Sequence, residues 1–172
     1  MTDGARPAPI IVAAVIGAGD FAWLDGLRRR HFPPERNVLP AHLTLFHHLP
    51  RSALDELRRL IAIEAAAPPP DARIARPILL GRGVAFAIDS PGLRAIRERL
   101  ADRFRGQLVP QDAAGWRPHV TIQNKVEPEV ARVLLREIEA GFRPRSFAIE
   151  GLAAFHYRGG PWEQIFARRF RR

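Results

Sequence analysis

Two stretches decide the fold: Pro40-Ala41-His42-Leu43-Thr44-Leu45 and Arg117-Pro118-His119-Val120-Thr121-Ile122. Each carries the order His, apolar, Thr, apolar. In a β-strand, residues i and i+2 share one face while i+1 and i+3 share the other. Each stretch therefore sets a His and a Thr on one face, with two aliphatic side chains behind them in a core. The strands expected here are His42–His48 and His119–Lys125, each followed by a helix. One such triplet would carry little information. Two, 77 residues apart and in the same structural setting, predict a repeated unit whose His–Thr pairs meet across a cleft.

Working outward, Ile10–Ile16 is apolar and β-branched and reads as a buried strand. Asp20 is expected to cap a helix with Phe21, Leu24 and Leu27 on one face, ending before Pro33-Pro34. After the first motif, Ser52 and Asp55 look like a shortened capping box ahead of Leu54, Leu57, Leu60 and Ile61. Ala65–Pro70 ends that helix and serves as the linker between halves. The second half repeats the order. Val84–Ile88 is a strand, and Ser90-Pro91 starts a helix with Leu93, Ile96, Leu100 and Phe104 as its stripe. The second motif is followed by a helix from Pro128, with Val130, Val133, Leu134 and Ile138 inward and Gly141 at its end.

This order predicts an internal repeat over about residues 8–66 and 82–141 within a single bilobal domain spanning 1–172. Further strands are expected at 72–80, 147–157 and 163–170. Arg158-Gly159-Gly160-Pro161 supplies the tight turn that joins the last two as a hairpin. The fold class is α+β: two lobes related by a pseudo-twofold, mostly antiparallel sheets flanked by helices, and a groove between the lobes.

Composition narrows the function. The chain lacks cysteine, which excludes a disulfide scaffold, a Cys nucleophile, a cysteine zinc site and an iron–sulfur cluster. No glycine-rich phosphate loop, GxSxG elbow or HExxH motif occurs. The net charge is +9, carried by 26 Arg and the single Lys125, and it favours polyanionic partners. The closing Arg168, Arg169, Arg171 and Arg172 are read as a frayed terminus. The longest apolar run, Ile10 to Ala18, is about half a membrane span and lacks the pattern of a secretory signal. A cytoplasmic, monomeric protein with no membrane association is expected.

The two motifs suit proton transfer. Imidazole titrates near pH 6.5, so one His can accept a proton while its partner donates one. A phosphodiester held between His42 and His119 could then undergo in-line displacement, with the Thr44 and Thr121 hydroxyls holding its non-bridging oxygens. A 2′,3′-cyclic phosphate fits well, because ring strain assists the leaving oxygen and water can attack. This reading calls for no metal and no cofactor.

Strand parity adds Phe46 and His48 to the face of His42, and Gln123 and Lys125 to the face of His119, while His47 points away. Phe46 either stacks a base or joins the core. Lys125 and Arg117 either steer phosphate or face water. Tyr157 and Trp162 flank the hairpin and either frame a nucleobase or pack across strands. His31 and His156 are read as bystanders, and the His42, His47 and His48 group is not read as a metal site.

The duplicated motif, its separation and the closing Arg158-Gly159-Gly160-Pro161-Trp162 hairpin resemble the 2H phosphoesterases, specifically the bacterial 2′-5′ RNA ligase and RNA 2′,3′-cyclic phosphodiesterase family. The resemblance implies a two-lobed fold with the active site between two antiparallel sheets. It also implies His42 and His119 as the acid/base pair, with Thr44 and Thr121 as phosphate-binding hydroxyls. The partner would be RNA with a cyclic phosphate end, or a cyclic nucleotide, opened to a 2′-phosphate, and the reverse reaction would form a 2′-5′ linkage. Two alternatives remain open at this point: a non-catalytic RNA-binding module, and a hydrolase of a small cyclic phosphate such as an ADP-ribose derivative.

Overall fold

A computed structural model describes residues 8–172. Strand β1 (Ile10–Ile16), helix α1 (Ala18–His31), strand β2 (Leu43–Leu49) and helix α2 (Leu54–Ala65) form the first half. After the proline-rich linker come β3 (Arg73–Leu79), β4 (Val84–Asp89), α3 (Pro91–Arg103), the short α4 (Pro110–Ala113), β5 (His119–Gln123) and α5 (Pro128–Gly141). The chain closes with β6 (Arg145–Ser146), β7 (Ile149–His156) and β8 (Glu163–Arg169).

The strands make two four-stranded antiparallel sheets, ordered β2-β1-β7-β8 and β5-β4-β3-β6. Both motif strands, β2 and β5, lie on an edge of their sheet, and the two edges meet. The expected α+β architecture of two lobes is thus present. Helix α1 leaves the first sheet and lies on the second, against β5, where Trp23 meets Phe86 at 5.2 Å between ring centroids. Helix α5 lies beside it, with Phe142 at 5.4 Å from Phe86. Helix α2 covers β7 and β8 of the first sheet and touches α3.

Leu43, Leu45, Val120 and Ile122, the aliphatics of the two motifs, are all 0% exposed. Burying each is worth roughly 1.5–3 kcal/mol, which anchors the strands that carry the His–Thr pairs. Ser90 caps α3 as expected, its Oγ accepting from the Leu93 N–H at 3.2 Å, with Pro91 in the first turn.

Several local expectations are corrected. Asp20 lies inside α1, whose N-cap is Gly17, and its carboxylate instead accepts from the Ala148 N–H at 2.8 Å. No side chain caps α2: a 3-10 turn over Arg51–Ala53 leads into it, so Ser52 and Asp55 form no capping box. The inward face of α5 is rotated from the one expected. Leu134 is buried and Ile138 packs partly buried against the core as expected, but Val130 and Val133 are exposed and Ala131 is buried in their place. The C-terminal segment is not frayed: Phe170 is buried, and the Arg171 N–H donates to the Ala65 and Ala67 carbonyls at 3.0 Å each. Among the described residues no helix is long and apolar enough to cross a membrane.

Candidate active site

The two motif strands depart from simple alternation at the same place. Opposite β1, Ala13 faces Thr44 but Val12 faces Phe46, so β2 carries one extra residue just after its Thr, and a second register shift follows before Ile10 meets Leu49. Opposite β4, Ala85 faces Thr121 but Val84 faces Gln123, so β5 carries its extra residue at the equivalent position. Such a bulge shifts the side chains that follow it to the other face, as far as the next irregularity. Phe46 and Gln123 therefore turn inward and are buried. Phe46 is a core aromatic and is not available to stack a base, and Gln123 does not share the face of His119. The same shift brings His47 into the cleft, contrary to strict parity, whereas His48 does not line it. Strand β5 stops at Gln123, and Lys125 sits in the following turn with φ 62°.

His42, Thr44, His119 and Thr121 line one cleft of about 360 Å³, together with His47, Arg97, Gln111, Asp112, Trp116 and Arg117. Each motif His is held in the same way. Nδ1 of His42 donates to the Pro40 carbonyl at 2.8 Å, and Nδ1 of His119 donates to the Arg117 carbonyl at 2.7 Å. A carbonyl only accepts, so the proton sits on Nδ1 in both rings and Nε2 is the nitrogen available to a ligand.

The environment of His42 is the more enclosed. Trp162 lies against it at 4.6 Å between centroids, and Phe155 backs Trp162 at 5.5 Å. Burial pushes the His42 pKa down to about 4 against the opposing pull of the Pro40 carbonyl, and the positive charge of Arg28, His119 and His47 lowers it further. His42 is therefore held neutral at pH values where an ordinary imidazole would be partly charged. Behind it, Phe21, Leu39, Pro40, Phe155 and Trp162 surround an apolar cavity of about 310 Å³. On the other side, Arg28, Arg36, Lys125 and Tyr157 share a cavity of about 410 Å³ with His42 and Thr121.

Of the candidates from the sequence, Arg117 thus stands in the main cleft, Lys125 and Tyr157 in the neighbouring basic cavity, and Trp162 against His42. His31 and His156 line none of these cavities. A larger cavity of about 790 Å³ shares no residue with the cleft; of the arginines lining it, Arg145 pairs with Asp20 and Arg169 with Glu150.

Four contributors are not singled out by the sequence: Arg28, Arg97, Asp112 and Trp116. Arg28 of α1 donates to the Thr121 carbonyl at 3.0 Å and to Asn37 Oδ1 at 2.8 Å. Arg97 of α3 donates to the Leu45 carbonyl at 3.0 Å and stands over the Phe46 ring at 4.6 Å. Trp116 Nε1 donates to the Thr44 carbonyl at 3.0 Å. Asp112 is 1% exposed, and its carboxylate accepts from the His47 and His48 N–H groups and from His47 Nδ1. Burial alone would raise its pKa, but these donors win and hold it below the ordinary carboxylate value. The only sequence signal for any of them is a matching pair of positions four apart in the two halves, Leu24 with Arg28 and Leu93 with Arg97, all of which are buried.

The family model described as the 2′-5′ RNA ligase superfamily matches residues 18–161. Among solved structures, Escherichia coli LigT complexed with 3′-AMP is 19% identical, with 97% of this chain and 100% of that chain covered and a TM-score of 0.62. The protein TT0787 of Thermus thermophilus is 18% identical, with 95% and 98% covered and a TM-score of 0.59. A structure described as a phosphoesterase is 19% identical, with 96% and 100% covered and a TM-score of 0.58. At these identities the likeness speaks for the fold. No curated protein matches the sequence.

Proposed function

The chain belongs to the 2′-5′ RNA ligase superfamily, and from that premise we propose that it is a metal-independent phosphodiesterase that opens 2′,3′-cyclic phosphates on RNA ends or nucleotides to 2′-phosphates. The observation that carries this reading is the pair of His–Thr strand segments lining one cleft, with both imidazoles tied back through Nδ1.

The depressed pKa of His42 suits it to accept a proton. In the proposed step, a water oxygen attacks phosphorus while its proton passes to His42 Nε2. The bond from phosphorus to the 3′-oxygen breaks, and His119 gives its Nε2 proton to that oxygen. One cyclic diester and one water become a 2′-phosphomonoester with a free 3′-hydroxyl. The Thr44 and Thr121 hydroxyls donate to the non-bridging oxygens, where charge builds up in the transition state. Metal independence follows from the two imidazoles handling both protons. With a 5′-hydroxyl in place of water as the nucleophile, the same step and the same groups would join ends through a 2′-5′ linkage, and its reversal would cleave that linkage.

The test is to incubate the protein with adenosine 2′,3′-cyclic phosphate, and with a short RNA bearing a cyclic end, in the presence of a chelator. The reading expects the 2′-phosphate as product at an unchanged rate. A strict metal requirement rejects the mechanism, and inertness toward every cyclic phosphate favours the RNA-binding module instead.

A further inference from the structure

His47 lies in the cleft although neither motif contains it. It arrives there because the bulge after Thr44 moves it to the cleft side of β2. The residue at the same count after the bulge in β5 is Asn124, which lies beyond the end of that strand and lines the neighbouring basic cavity instead of the cleft. There the side chain only accepts from the Lys125 N–H, at 2.8 Å. The two halves of the site therefore match in their His–Thr pairs, and only the first half adds a further imidazole to the cleft.

The His47 ring is fixed. Nδ1 donates to Asp112 Oδ1 at 3.1 Å, and the Asp112 carboxylate is itself pinned by the His47 and His48 N–H groups. Arg97 closes the back of this arrangement, donating to the Asp112 carbonyl at 2.7 Å. With Nδ1–H committed to the carboxylate, Nε2 is the ring nitrogen left to meet a ligand, and Asp112 fixes the direction in which it points. Among the described residues Asp112 is the only carboxylate lining the cleft, and its oxygens are covered by donors. The cleft thus offers a ligand guanidiniums from Arg97 and Arg117 and three imidazoles, with no accessible negative charge. At about 360 Å³ it is much roomier than one phosphate group needs.

We propose that His47, clamped by Asp112, forms with Arg117 a second anion subsite beside the paired histidines, so that the preferred substrate is a cyclic phosphate carrying a second phosphate group. This rests on the phosphodiesterase reading for its chemistry, but the subsite is a binding property and can be measured without turnover. A phosphate along the nucleotide chain, or at the 5′-position of a mononucleotide, supplies the charge. A cyclic mononucleotide with a free 5′-hydroxyl leaves the subsite empty.

The experiment titrates two product mimics, adenosine 2′,5′-bisphosphate and adenosine 2′-monophosphate, into the wild-type protein and into His47→Gln by calorimetry. In parallel, kcat/KM is measured for adenosine 2′,3′-cyclic phosphate with and without a 5′-phosphate. The wild type is expected to bind the bisphosphate about tenfold more tightly, the scale of one charge-assisted hydrogen bond, and His47→Gln to erase most of that preference. Equal affinity of the wild type for both mimics overturns the proposal. So does a preference that survives in His47→Gln. A preference that depends on His47 in a protein that turns over no cyclic phosphate supports the subsite and rejects the parent reading, so the two failures are distinct.

Discussion

The guanidinium of Arg28, on a helix of the first half, donates from Nη1 to the carbonyl oxygen of Thr121, in the site strand of the second half, at 3.0 Å. Arg97 makes the reciprocal connection from the second half to the Leu45 carbonyl, at 3.0 Å. Each site strand is an edge strand, so its outward carbonyls have no neighbouring strand to satisfy them. The crossed arginines do so instead, and they hold the two His–Thr pairs at a set separation.

Arg28→Met and Arg97→Met should each leave a strand carbonyl without its donor. The expected cost is about 1–3 kcal/mol in urea unfolding with an unchanged slope. Loss below about 0.5 kcal/mol for both would show that the hydrophobic core alone sets the strand positions.

The pH dependence follows from His42. Its folded pKa, about 4, lies below the ordinary 6.5, so between those values the unfolded chain takes up a proton that the fold refuses. Stability should therefore fall as pH drops from about 6.5 toward 4, and this group should have no influence above that window. Chemical denaturation across pH checks it, and His42→Gln should flatten the slope. The acid limb of kcat/KM, which reports the free enzyme, should likewise lie near pH 4 rather than 6.5.

Trp162 keeps water from one face of His42. Trp162→Ala should hydrate the ring and move its pKa back toward the ordinary value, as followed by NMR titration of the His42 resonances. Trp162→Phe should retain most of the depression. An unmoved titration in Trp162→Ala would assign the burial to the surrounding backbone instead.

Much of this site was legible in the sequence, and what was not has identifiable causes. Alternation located His42, Thr44, His119 and Thr121 because the strand is regular up to each Thr. It fails from the second residue onward, at Phe46, His47 and Gln123, because a bulge is a property of two paired strands and leaves no period in either one. Arg28 and Arg97 do not stand out among the 26 arginines, since nothing local separates a buried guanidinium from a solvated one. Their acceptors lie 93 and 52 residues away. Asp112 was hidden for the same reason: its partner His47 is 65 residues distant. A terminal position alone suggests fraying for the tail, whereas Phe170 and the linker carbonyls of Ala65 and Ala67 anchor it.

The threonines should act in the transition state more than in binding. Thr44→Val and Thr121→Val keep the shape and remove a donor, so kcat should fall by about 10²-fold with KM little changed. A rise in KM at constant kcat would mean that the hydroxyls hold substrate and transition state alike.

The most direct measurement compares kcat/KM on adenosine 2′,3′-cyclic phosphate for His42→Ala, His119→Ala and the double variant. If the two imidazoles serve one phosphate as proton acceptor and donor, each single change should remove nearly all activity and the double should add little more. Substantial turnover in either single variant, or losses that simply multiply, would contradict the paired mechanism.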